Sequence, residues 1–249
     1  VTKRSLATAA ALSVFGLLLA GCLLPADDGS DGGVGAEPAP VDSPVPDPGG
    51  SGQSLEGAFD YNTMDKYVDA VLPMIEEWIK ATWPGMPLPE TIYVPGGAAG
   101  REGCLDVDGR PATYTSQSYE FCPADNRVYV GQDTLYEFYT KTGDAGPAVG
   151  LAHEFGHHVQ TQLNLPPART TDQSIKVENQ ADCLAGAWTQ WTDEKGYLER
   201  EDDLQDIEAL FPLIGSAEGP DRDHGTVRER RNAFEAGFEG GIAACGVRS

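Results

Sequence analysis

Three of the four histidines of this 249-residue chain fall within six positions, in the stretch Ala152-His153-Glu154-Phe155-Gly156-His157-His158-Val159-Gln160. Helical positions four apart lie one turn apart on the same face, so His153 and His157 point into one small volume. That volume suits a zinc ion held by imidazole nitrogens at about 2.0–2.1 Å. Glu154, the next residue, is then placed as general base on a water held by the metal. The competing reading is a surface helix with chance histidines, and the flanks argue against it. Gly146-Pro147 suits a first helical turn and Pro166-Pro167 a stop. Between them Ala152, Phe155, Val159 and Leu163 recur at helical spacing and make a buried stripe on another side from the two histidines. His158 faces away from His153 and reads as structural or as a support for a ligand.

A second helix, expected over Gln173–Trp191 with Asp172 or Ser174 as N-cap, supplies acids. Glu178 and Asp182 are four apart and share a face. A catalytic zinc takes three protein ligands and keeps one position open. Glu178 is the candidate third ligand. Asp182 would accept a hydrogen bond from the far nitrogen of a ligating histidine and fix its tautomer. The bland alternative is a solvated acidic face, but Ala181, Leu184, Ala185 and Trp188 surround the pair and mark a mostly buried helix.

His-Glu-Phe-Gly-His-His-Val-Gln followed by Glu-Asn-Gln-Ala-Asp-Cys-Leu-Ala-Gly-Ala-Trp resembles the putative neutral zinc metallopeptidase family, and more broadly the gluzincins. The resemblance runs from about Tyr93 to Cys245. It implies one zinc ion per chain on His153, His157 and Glu178, with Glu154 as base and Asp182 supporting His153. Asn179 stands where the family usually has a hydrophobic residue, and no proposed ligand is touched. His224-Gly225 ahead of an arginine-bearing helix, and Phe234-x-x-Gly237-Phe238, are also similar to the family. The expected fold is a mainly helical α+β zincin-like domain with a small antiparallel sheet. In zincins of this kind an edge strand beside the active helix can bind substrate backbone; the sequence does not say which strand.

The remaining chain divides in three. Residues 1–21 have a basic start at Lys3-Arg4 and an apolar run from Leu6 to Ala20, which is a secretory signal. The run is short for a membrane span. Leu19-Ala20-Gly21-Cys22 resembles a bacterial lipobox and implies lipid attachment at Cys22. Residues 22–55 are rich in proline, glycine and acid, and read as a solvated tether. Residues 56–249 have the length of one domain. Within it a helix is expected from Asn62 to Trp83, strands at Thr91–Pro95, Thr113–Thr115 and Arg127–Val130, and helices at Thr134–Thr140 and through Leu204–Phe211. The charged run Asp193–Asp203 reads as solvated surface.

Besides Cys22 there are Cys104, Cys122, Cys183 and Cys245, which allow three pairings. Cys104 with Cys122 would close a short loop, and Cys183 with Cys245 would tie the C-terminus to the Glu178 helix. Cys183 as a metal ligand is disfavoured, because it points about 100° from Asp182 on a helix. His224 could donate to the oxyanion formed when water attacks a carbonyl, or could be a loop histidine beside Asp221 and Asp223. Tyr136 and Tyr139 are weaker candidates for the same role. The formal charge of −22 disfavours nucleic acid and anionic headgroups, so membrane contact would come through the lipid. The expected protein is a lipid-anchored, extracytoplasmic zinc peptidase acting on a peptide or protein substrate. The alternatives are a non-catalytic zinc-binding lipoprotein and a hydrolase of another amide, such as a cell-wall cross-link.

Overall fold

Met64, Tyr67, Val68, Val71, Ile75, Trp78 and Ile79 keep a helical period, and all seven are buried on one face of helix α1 (Met64–Thr82). A short 3₁₀ turn, Tyr61–Thr63, leads into it. There the Asp60 side chain accepts from Asn62 N and Thr63 Oγ1 accepts from Asp60 N. Pro73 lies inside α1 without ending it. The computed structural model describes residues 54–105, 109–217, 222 and 224–249. The signal segment, Cys22, nearly all of the tether, and Asp221 and Asp223 lie outside the described residues.

Five strands follow: β1 (Glu90–Val94), β2 (Ala99–Leu105), β3 (Pro111–Thr115), β4 (Tyr119–Cys122) and β5 (Arg127–Gly131). They form two sheets, β1-β5-β4 and β2-β3. The pairs β2–β3 and β4–β5 are antiparallel, whereas β1 joins β5 in parallel, with Ile92 opposite Tyr129. The strand expected at Thr113 therefore belongs to a different sheet from those at Thr91 and Arg127. Neither β2 nor β4 was expected. Gly100 and Gly103 break any apolar alternation in β2, and β4 has only four residues. The Cys104–Cys122 disulfide joins β2 to β4 and so fastens the two sheets together.

Helices α2 (Gln132–Thr142), α3 (Ala145–Gln162), α4 (Thr171–Lys195), α5 (Arg200–Ile214) and α6 (Val227–Ala244) complete the mainly helical α+β fold. Its main core gathers Leu151, Phe155 and Val159 of α3 with Leu184 and Trp188 of α4, Val128 and Val130 of β5, and the buried face of α1. The N-cap of α4 is Thr170, whose side chain accepts from Gln173 N, rather than Asp172 or Ser174. Asp203 is a second departure from expectation. It is buried at 8% exposure because its carboxylate turns back to accept from Glu199 N at the start of α5.

Glycines set the spacing of α3, α4 and α6. A Cβ on Gly156 of α3 would lie 3.1 Å from the Ala181 backbone of α4. Added Cβ atoms on Gly186 of α4 and Gly237 of α6 would overlap the carbonyls of Phe234 and Cys183. Gly156 directly precedes His157 and Ala181 directly precedes Asp182, so this close approach lets the two motifs meet. The Cys183–Cys245 disulfide ties the C-cap of α6, past the kink at Gly241, back to the middle of α4. Among the described residues no helix is long and apolar enough to cross a membrane.

Candidate metal centre

The i, i+4 spacing on α3 and the close approach of α4 bring three donor atoms together. His153 Nε2 and His157 Nε2 are 3.1 Å apart, and each is 3.4 Å from an oxygen of Glu178, Oε2 and Oε1 respectively. A tetrahedral zinc at about 2.0–2.1 Å from its ligands requires donors about 3.3–3.4 Å apart. His153 and Glu178 are buried, at 7% and 3% exposure. Among the described residues this cluster contains these three ligands only.

The far nitrogens show which atoms face inward. His153 Nδ1 lies 2.8 Å from Asp182 Oδ1, and a carboxylate there accepts, so Nδ1 carries the proton. His157 Nδ1 lies 2.9 Å from Gln160 Oε1. The Gln160 amide is oriented by its Nε2, which donates to Val177 O at 2.8 Å and Gln180 Oε1 at 3.1 Å. Both Nε2 atoms therefore present lone pairs to each other and to the Glu178 carboxylate. With the imidazoles neutral, three electron-pair donors meet here and repel unless a proton or a metal cation lies between, so this donor set fits zinc.

Local charge agrees. Glu154, Glu178 and Asp182 share the Arg230 guanidinium, and Glu120 adds a further acid beside Glu154, so with neutral imidazoles the centre holds an excess of negative charge that a divalent ion would offset. The same imbalance shapes proton affinities. Burial works against charge on His153, but Asp182 and Glu178 outweigh it and push the imidazole up to about 10. Burial alone would raise the Glu178 carboxyl, yet the surrounding histidines hold it well below the usual carboxylate range. The acid groups thus demand a positive charge at this point, whether proton or metal.

Glu154 sits on the same helix between the two imidazoles in sequence, and its Oε2 accepts from Phe121 N at 2.9 Å. Burial is the main influence raising its carboxyl, offset in part by His153 and His157. Strand β4 is one of the two edge strands of its sheet and lies against α3. Tyr119 Oη donates to Pro147 O at 2.7 Å, and the Phe121 ring stands edge-on to His158. His158 is fully buried, with Nδ1 2.9 Å from Asn126 Oδ1 and Nε2 2.8 Å from Pro87 O, so it braces α3 against two loops.

His224 lies on Glu178. Its Nδ1 donates to Oε2 at 2.8 Å. Tyr139 is elsewhere, donating to Leu55 O and packing against Phe59 and Tyr67, and Tyr136 packs against Tyr61. Asp182 meets Arg230 as well as His153: Arg230 Nε donates to Oδ2 at 2.9 Å and Nη2 to Oδ1 at 2.8 Å. The sequence reading missed Arg230, Gln160 and Gln180. A signal existed for two of them. Arg230 precedes Phe234 and Gly237 on the buried stripe of α6, and Gln160 follows His157 by three positions on the same helix. Nothing in the sequence marked Gln180.

A family profile described as putative neutral zinc metallopeptidase matches residues 111–247, just over half of the chain and the whole of this centre. The chain is 32% identical over 148 residues to the uncharacterized protein YpfJ of Escherichia coli, covering 50% of this chain and 51% of that protein. It is 29% identical over 150 residues to the uncharacterized protein Rv2575 of Mycobacterium tuberculosis, covering 49% and 51%. The chain thus spans about half the length of the curated relatives it matches. No solved structure matches it.

Proposed function

Because the chain belongs to the putative neutral zinc metallopeptidase family, we propose that it hydrolyses peptide bonds with one zinc ion held by His153, His157 and Glu178. The observation that carries this reading is the set of three inward donors at tetrahedral spacing beside Glu154. A closed structural zinc site uses four protein ligands, whereas a catalytic one uses three. The cluster holds three among the described residues, which favours an enzyme over a scaffold that merely stores the metal.

When bound, zinc supplies Lewis acidity and lowers the pKa of water. The protein's own groups do the rest. Glu154 takes a proton from the attacking water and delivers it to the departing amine. Its position on α3 fixes it beside the ligands, and its bond to Phe121 N aims the carboxylate at the edge of β4. Asp182 holds His153 in the tautomer that turns Nε2 inward, and Gln160 does the same for His157. The substrate is a peptide or protein segment lying extended along the outer edge of β4, by strand addition.

The domain of residues 56–249 would act outside the cytoplasmic membrane, tethered by residues 22–55 to a lipid on Cys22 after loss of residues 1–21. The two disulfides support an oxidising compartment, and the charge of −22 supports the lipid as the membrane contact and disfavours nucleic acid as a partner. Replacing Glu154→Gln tests the reaction. The variant should keep its zinc while cleavage of a peptide library falls by at least two orders of magnitude, the scale of a lost general base. Undiminished cleavage would remove Glu154 from the role. A library untouched by the zinc-loaded wild type, with a cell-wall cross-link opened instead, would move the substrate to another amide.

A further inference from the structure

The segment from His224 to Cys245 contributes no metal ligand, yet a hydrogen-bond path from each of the three ligands ends on it. Glu178 Oε2 accepts directly from His224 Nδ1 at 2.8 Å. From His153 the path runs through Asp182 to Arg230. From His157 it runs through a file of amides: Nδ1 donates to Gln160 Oε1, Gln160 Nε2 to Gln180 Oε1, and Gln180 Nε2 to Cys245 O at 2.9 Å. These three paths leave α6 near its start, at its second turn and at its end. We propose that this C-terminal segment is the positioning element of the metal centre, with Arg230 and Gln180 setting zinc affinity by orienting His153 and His157. The proposal rests on the zinc reading above.

Arg230 is suited to the task by geometry. It is 5% exposed, and its fork takes both oxygens of Asp182 while Nη1 donates to Ile214 O at 2.9 Å. Ile214 is the last residue of α5, so its carbonyl has no partner within that helix, and a cation is favoured there. The guanidinium is thereby pinned at both ends and cannot swing. Asp182 in turn has one oxygen shared between His153 and Arg230 and the other held by Arg230 alone. A lysine offers a single point charge and cannot make the fork and reach Ile214 together. Gln180 is constrained in a similar way, since the carbonyl it meets belongs to a cysteine covalently tied to Cys183 of α4. The start of α6 is fixed by the Thr226–Glu229 capping box and by Arg222, which forks onto Glu229.

The test is zinc affinity of the full chain, measured by competition with a chelating dye, for the wild type and for Arg230→Met, Arg230→Lys, Gln180→Leu, Asp182→Asn and the double variant Asp182→Asn/Arg230→Met. Partners behind a ligand typically contribute about 10–100-fold to metal affinity. Arg230→Met should weaken zinc by about that factor, Arg230→Lys should recover little of it, and Gln180→Leu should weaken zinc by about tenfold. In the Asp182→Asn background Arg230→Met should cost little more, because both act on His153 by one path. Unfolding of each metal-free variant separates a loss of fold from a loss of orientation. Should Arg230→Met fail to fold, the double variant and Gln180→Leu decide the matter. Folded variants that bind zinc as tightly as the wild type overturn the proposal while leaving the zinc reading intact. Equal losses from Arg230→Met with and without Asp182 also overturn it. A wild type that binds no zinc overturns both readings.

Discussion

Gly237 of α6 lies against Cys183 of α4 so closely that a Cβ at residue 237 would overlap the Cys183 carbonyl. The carbonyl belongs to the helix that carries Glu178 and Asp182, so it has little freedom to give way. Replacing an exposed helical glycine by alanine usually stabilises by up to ~1 kcal/mol. Here the sign should reverse. Gly237→Ala should cost about 1–3 kcal/mol, the range for overpacking, read as a lower urea midpoint with unchanged slope. A gain in stability would show that α4 and α6 are less tightly apposed than described.

The Cys183–Cys245 disulfide spans 62 residues. Cross-linking a loop of this size should contribute ~2–4 kcal/mol by restricting the unfolded chain. The double change Cys183→Ala/Cys245→Ala should lower unfolding stability by that amount. The Cys104–Cys122 link spans only 18 residues, so its removal should cost less by the same argument. Urea unfolding of the two double variants gives the comparison, and a reversed order would contradict it.

The metal-free protein should be more stable at pH 5 than at pH 8. Burial first, and then neighbouring acids that include Asp144, push the carboxyls of Asp203 and Asp206 up to about 7. Burial with Glu120 and Asp125 does the same to Glu102, also to about 7. A carboxyl whose folded pKa lies above its unfolded value of ~3.9–4.3 binds more protons in the folded state between the two. Its effect is therefore a loss of stability as pH rises from about 4 to about 7. Glu178, Asp182 and Glu229, whose carboxyls are held low, lose their contribution only as pH falls below about 4. Thermal melts in chelator at pH 5 and 8 check the direction. Asp206→Asn, which still accepts from Ala145 N, should raise the pH 8 midpoint and flatten the profile. A wild-type midpoint that climbs from pH 5 to pH 8 would be the contrary result.

The centre was legible where chemistry and helical period coincide. His153, His157, Glu178 and Asp182 occur as two i, i+4 pairs on two amphipathic helices, and that spacing predicts both a shared face and a shared target. The cysteines were legible as two candidate pairs, although β2 and β4, which the Cys104–Cys122 link joins, were not. The sheets were harder. Parallel pairing of β1 with β5 depends on contacts between residues nearly forty apart, which no local pattern encodes. Arg230, Gln160 and Gln180 escaped because an arginine or glutamine on a helix is ordinarily a solvated residue. Their partners are fixed by the approach of α4 to α3 and α6, a tertiary fact set by Gly156, Gly186 and Gly237 rather than by any motif. Asp203 reads as surface in a charged run for the same reason.

The convergence of His153, His157 and Glu178 on one ion is tested most directly by counting metal. Protein dialysed against zinc and then against metal-free buffer should retain one zinc per chain by native mass spectrometry. His157→Ala and Glu178→Ala, each confirmed to be folded, should retain none under the same dialysis, while Glu154→Gln retains one. A wild type that emerges without zinc, or a folded Glu178→Ala variant that keeps a full equivalent, would contradict the account.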